Sequence, residues 1–138
     1  ANKQHLFVFK QLNLGNQEEA PIIASNWFIS SEIENPIVIL TRDLLYAYWK
    51  DYDYAINYFI FHLFFAMACR RYENEWENIP AFNNSSPHML MFELKRDYSP
   101  ERWEQLMKMS GIHKLQRYDD YSDLKKSNYC KILDTYLQ

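Results

Sequence analysis

The spacing of apolar positions changes several times along this chain, and each change marks an element. Residues 5–10, HLFVFK, are apolar with too few polar alternations for an exposed edge, and read as a strand. Residues 11–20 are polar, carry Gly15 and read as a loop. Pro21 then introduces IIASNWFISS, a second strand in which Ser25 and Asn26 interrupt an otherwise buried run. Asn35-Pro36 is a helix start, because asparagine accepts from free first-turn amides and proline forfeits no hydrogen bond there. Apolar positions 37, 40, 44, 45 and 48 keep helical spacing and carry that helix to about Lys50.

The DYDY stretch turns the chain into a second helix over 54–72, apolar on every side until Arg70 and Arg71, which suit a C-terminal end. Residues 76–84 read as a connecting loop holding Pro80. Ser86-Pro87 and Ser99-Pro100 repeat the cap-plus-proline signature. The first starts a helix with Met89, Leu90, Phe92 and Leu94, the second one with Trp103, Leu106 and Met107 on a face and Gly111 as its stop. IHKLQRY looks like a short strand, and Ser127 caps a last helix whose Tyr129, Ile132, Leu133, Tyr136 and Leu137 share a face. The organising stretch is 22–72, a strand feeding a helical hairpin that the rest must cover.

Composition narrows the classes. A chain of 138 residues supports one modest core, and 48% apolar with 17% aromatic residues argues against disorder. A net charge of -3 gives no field toward nucleic acid or an anionic membrane. The 2 glycines, Gly15 and Gly111, rule out a glycine-rich phosphate cradle. Cys69 and Cys130 form no CxxC pair and read as free thiols of a reducing compartment. The start of the chain does not spell a signal peptide. The longest apolar run, 55–69, is interrupted by Asn57 and His62 and falls short of the roughly 20 residues that span a bilayer. Because HLFVF follows Ala1 so closely, the sequence reads as part of a longer chain, cut in or near a sheet.

Several groups have the residue types for chemistry. Asp51-Tyr52-Asp53 has the aspartate-x-aspartate spelling that holds a divalent cation in many sugar-nucleotide enzymes, but it follows a helix rather than a buried strand and reads better as a solvated turn. The acidic cluster at 119–123 reads as capping and solubility ahead of the last helix. No two of His5, His62, His88 and His113 are spaced as zinc ligands on one helical turn. His62, amid the most apolar helix, reads as a core residue with a satisfied hydrogen bond, and Tyr58, one turn earlier, as its companion. His113 and Lys114 set an imidazole beside an ammonium, able to face an anion or a metal-bound diphosphate if both point the same way. Nothing spells a Ser-His-Asp or Cys-His nucleophile system.

Taken in order, SNWFI, NPI, LTRDLLYAYW, NYFIFH, W-x-x-IP, PHML and IHKL resemble the capsular polysaccharide synthesis glycosyltransferases, bacterial proteins similar to the wider GT-A group of sugar transferases that includes yeast mannosyltransferases. The likeness runs from about Ile22 to Leu115, and SNWFI, Tyr48-Trp49, Tyr58-Phe59 with His62, and His113 to Leu115 are its most specific pieces. It implies an α/β fold, the helix-rich C-terminal part of a GT-A-like fold with a few strands and about five helices. The whole chain, 1–138, would be one incomplete domain, the acceptor-side half, with the donor-binding half of the same protein preceding it.

The implied reaction is transfer of a sugar from a nucleotide diphosphate donor to a glycan acceptor in capsular or surface polysaccharide synthesis, with magnesium or manganese. No metal is expected to bind this chain tightly by itself, and the isolated chain is expected to be inactive. Asn26 and Trp27 match the strand lining the sugar site, where an amide meets hydroxyls and an indole meets a sugar ring. Tyr58 and His62 join them as substrate-binding residues, His113 matches a late histidine that reaches the metal or diphosphate, and Lys114 is the diphosphate partner. Catalytic residues are not identified. Asn57 stands where the family pattern has an aspartate. No nucleic acid and no transmembrane segment are implied, and the expected location is cytoplasmic, at the inner face of the membrane in one version. Two other readings are kept: a non-catalytic helical module whose aromatic surface docks a protein, and a degenerate transferase.

Overall fold

A computed structural model describes residues 6–10, 22–116, 120 and 125–137. The loop expected at 11–20 lies outside them. Among the described residues are one two-stranded sheet and six α-helices, an α/β, helix-rich architecture as expected. Strands β1 (Leu6–Lys10) and β2 (Ala24–Ser31) pair antiparallel. Helices α1 (Pro36–Asp51), α2 (Ile60–Arg71) and α3 (Glu73–Glu77) follow. Next come a 3-10 turn (Ser86–His88), α4 (Met89–Glu93), α5 (Pro100–Met109) and α6 (Asn128–Tyr136). The chain divides into two units, Ala1–Asn83 and Asn84–Gln138.

In the first unit, α1 starts as its capping pair dictates. The buried Asn35 side chain accepts from the Ile37 and Val38 amides at 3.1 and 3.2 Å, and Pro36 opens the first turn. Ile37 joins Leu6, Val8, Ala24, Phe65 and Ala68 in the core of this unit. Burying such side chains is worth about 1.5–3 kcal/mol each before ordering costs. Lys10 runs its ammonium over the Trp76 ring at 4.4 Å and donates to the Trp76 carbonyl at 2.9 Å, pinning α3 to the sheet.

Two expectations for this unit need correction. The helix expected over 54–72 begins only at Ile60. The preceding segment spends its backbone groups elsewhere: the Tyr48 hydroxyl donates to the Tyr54 carbonyl at 2.7 Å and accepts from the Ile56 amide at 3.1 Å. The Asn57 side chain accepts from the Phe59 amide at 2.7 Å. Tyrosine, asparagine and isoleucine are poor enough helix formers that these local bonds win. The second correction concerns Trp76, which lies in α3 rather than in a loop, packed edge-on against Phe65 at 5.8 Å.

In the second unit, Leu90, Leu94 and Leu106 form the core, with Trp103, Tyr129 and Ile132 packed on it. Ser99 and Ser127 cap α5 and α6 as read, accepting from the amides of Arg102 and Cys130. Ser86 is not a cap but part of the 3-10 turn, and Phe92 and Tyr136 point outward. Helix α5 ends because Ser110 turns extended, one residue before Gly111. The expected strand IHKLQRY is irregular over 112–116, its remainder lying outside the described residues. A strand needs a neighbour along its length, whereas here the Lys114 amide goes to the Pro87 carbonyl at 2.9 Å and the Ile112 amide to the Ser110 hydroxyl at 3.2 Å.

Among the described residues no helix is long and apolar enough to cross a membrane.

Candidate functional site

The SNWF segment sits at a break in the ladder. Val8 pairs with Ile29 and Lys10 with Ala24, so β1 has only Phe9 between those pairs whereas β2 has Ser25, Asn26, Trp27 and Phe28. The surplus makes β2 bulge, and bulges re-aim side chains and recur beside functional sites. The polar interruption at Ser25-Asn26 was its signal in the sequence. Within the bulge Asn26 is exposed, while the Trp27 indole lies flat on the buried Phe9 ring, centroids 4.9 Å apart and 12° between planes. Phe28 packs edge-on with Phe7 at 5.8 Å. An exposed amide beside a half-buried indole is thereby held on an aromatic bed.

His62 approaches the same strand from behind. Only 8% exposed, it hydrogen-bonds the backbone of Ala24. Burial lowers its pKa, and that bond, which favours the charged ring, only partly opposes the shift. Its ring neighbours are Phe59 at 5.9 Å and Phe61 at 5.7 Å. Tyr58 is not its companion: it stands before α2 begins and is 92% exposed. His62 is thus a strut between α2 and β2, whereas Tyr58 is free to meet a ligand.

His113 and Lys114 belong to the second unit. His113 is half-buried, and desolvation lowers its pKa against an opposing influence of the Ser110 backbone. Its Nδ1 is buried without a hydrogen-bond partner of normal geometry. The Ser110 hydroxyl closes a local turn instead, accepting from the Ile112 amide at 3.2 Å and donating to the Ile112 carbonyl at 2.6 Å. Among the described residues no three His, Cys, Asp or Glu side chains gather as a cation would require. His113 offers at most one nitrogen, so the described residues do not by themselves fit a divalent metal. Asp51 and Asp53 are exposed, and of the acidic cluster at 119–123 only Asp120 is described.

Neither of two cavities coincides with these residues. One, of about 180 Å³, is apolar and lined by Ile29, Val38, Leu45, Phe61 and Phe65 among others. The second unit has one of about 340 Å³ with Tyr98, Lys125, Lys126 and Lys131 in its wall.

The sequence reading missed the most strongly held charge. Glu93, whose side chain is 5% exposed, takes both carboxylate oxygens to Arg102 Nε at 3.0 and 3.1 Å, and Arg102 Nη2 closes the fork. These bonds from the guanidinium hold the Glu93 carboxyl below the usual range against the penalty of burial. Asn128 Nδ2 donates to the Glu93 carbonyl at 2.9 Å. A lone acid within MLMFEL was the available signal, and the arrangement ties α4, α5 and α6 together.

No curated protein and no solved structure matches this chain. A family model described as capsular polysaccharide synthesis protein matches residues 1–133. That match includes the SNWF bulge, the elbow between α1 and α2, and the His113-Lys114 pair, and by it the chain belongs to the capsular polysaccharide synthesis protein family.

Proposed function

We propose that this chain is the acceptor-side, C-terminal portion of a GT-A-type glycosyltransferase that transfers a sugar from a nucleotide diphosphate to a glycan in capsule synthesis, on the cytoplasmic side of the membrane. The observation that carries the reading, within a family whose description names capsule synthesis, is the bulge that presents Asn26 and Trp27. The Asn26 amide can donate to and accept from sugar hydroxyls, and the uncovered part of the Trp27 indole can lie against the C–H face of a sugar ring. The neutral His113 that burial favours can accept a proton at Nδ1 or offer one nitrogen to a cation completed elsewhere in the protein. Lys114 supplies a positive charge beside it for a diphosphate. The donor-binding half precedes this chain in the proposed enzyme. Magnesium or manganese would act there as a Lewis acid.

The test uses the full-length protein with a panel of nucleotide sugars, a divalent cation and a glycan acceptor. Transfer is expected, and Asn26→Ala is expected to raise the acceptor or donor KM without lowering the melting temperature. His113→Ala is expected to raise the metal concentration needed for half-maximal rate. Absence of transfer with every donor, or unchanged kinetics for Asn26→Ala, would overturn the assignment. The isolated 138-residue chain is expected to show no turnover.

A further inference from the structure

The C-terminal end of α1 and the loop beyond it carry a cluster of rings that neither the core nor the SNWF bulge uses. Tyr48 stacks on Tyr52 at 4.9 Å and 23°, and meets Trp49 edge-on at 5.1 Å. Tyr52 in turn meets Tyr54 edge-on at 6.1 Å. Large aromatic side chains are ordinarily among the better covered, yet Trp49, Tyr52 and Tyr54 are 45%, 48% and 59% exposed. The loop that carries them is braced. Tyr48 ties it down through the Tyr54 carbonyl and the Ile56 amide, and leans on Phe64 of α2 at 5.9 Å. The rings therefore hold their arrangement before any ligand arrives, which lowers the ordering cost of binding.

Two exposed carboxylates, Asp51 and Asp53, alternate with these rings along the chain, and neither has an ion-pair partner among the described residues. Flat apolar faces interleaved with hydrogen-bond acceptors match a polyhydroxylated ligand, whose rings have C–H faces and O–H edges. They do not match an anionic lipid surface, which the carboxylates would repel.

We propose that this elbow, Trp49, Tyr52 and Tyr54 with Asp51 and Asp53, is a binding platform for the glycan acceptor chain. Tyr48 is its positioning residue. The proposal rests on the reading that this protein acts on a glycan, and it gives the DYD spelling a role other than metal binding.

The test is titration of full-length protein with neutral, N-acetylated and uronate-containing oligosaccharides of increasing length, alongside Tyr52→Ala, Tyr54→Ala and the double change Asp51→Asn with Asp53→Asn. Affinity is expected to rise with chain length for at least one series, and each ring variant to weaken it by roughly ten-fold. Tyr48→Phe keeps every ring but removes both loop bonds, and is expected to weaken binding at an unchanged melting temperature. If Tyr52→Ala perturbs folding, Tyr54→Ala and Trp49→Phe carry the comparison.

No binding across the panel, binding indifferent to Tyr54→Ala, or a loss of vesicle or protein association in its place would overturn the proposal. Donor-dependent transfer with an acceptor KM unmoved by the elbow variants would remove the platform alone. Oligosaccharide binding at the elbow without any transfer would uphold the platform and remove the transferase reading.

Discussion

The His62 ring, in the first turn of α2, hydrogen-bonds the backbone of Ala24 at the start of β2, joining the helical hairpin to the strand that carries Asn26 and Trp27. Because burial lowers the folded-state pKa of His62, the unfolded chain takes up a proton first as pH falls below the ordinary value of 6.5. Stability from this residue is therefore complete above that value and is lost as pH falls toward the folded-state pKa. His113, also shifted down, acts with the same sign. Urea unfolding measured across this range is expected to show stability declining on acidification, with a shallower decline in His62→Gln. An equal slope in the variant would show that His62 does not titrate as described. His62→Ala removes a buried ring that packs among Phe59 and Phe61 and is expected to cost about 1–3 kcal/mol.

Glu93 and Arg102 make the second unit sensitive to acid in another window. The folded-state pKa of Glu93 lies below its ordinary 4.5, so its contribution is present above that value and lost as pH falls through the lowered one. Arg102→Ala strands the buried Glu93 carboxylate and is expected to destabilise the protein. Arg102→Lys restores the charge without the fork and should recover only part of the loss, as read by chemical denaturation.

The Asn35 cap gives a local test. Asn35→Ala leaves the Ile37 and Val38 amides without their acceptor and is expected to cost about 1–2 kcal/mol. Asn35→Asp keeps the acceptor and should cost much less, measured by thermal unfolding.

The two thiols should differ in reactivity. Burial pushes the Cys69 thiol up to about 12, although Lys10 pulls the other way, while Cys130 is only half-buried. Alkylation at neutral pH followed by mass spectrometry is expected to label Cys130 and spare Cys69 until the protein is unfolded. Rapid labelling of native Cys69 would contradict its place in the core.

How much of this was legible in advance depends on how far the deciding partner lies along the chain. Asn26 and Trp27 were legible in the sequence as residues of a strand, but the bulge that exposes Asn26 and lays Trp27 on Phe9 follows from a pairing register with β1. For His62 it gave a buried, satisfied histidine, yet chose Tyr58 because helical spacing was assumed through a segment that Tyr48 holds out of the helix. For Glu93 it offered only a lone acid in an apolar run and no partner, since Arg102 meets it only when α5 folds back on α4.

By itself, then, the sequence determined what short-range physics controls. The starts of α1, α5 and α6 follow from Asn35, Ser99 and Ser127, each accepting from amides within three residues, and both strands form inside the segments read for them, 5–10 and 22–31. Tertiary structure decided that 112–116 finds no strand to pair with among the described residues, and which side chains around the α1–α2 elbow stay exposed. Those outcomes turn on competition for backbone hydrogen bonds and on which surfaces meet. Such partners are distant in sequence, and residue spacing carries no record of them.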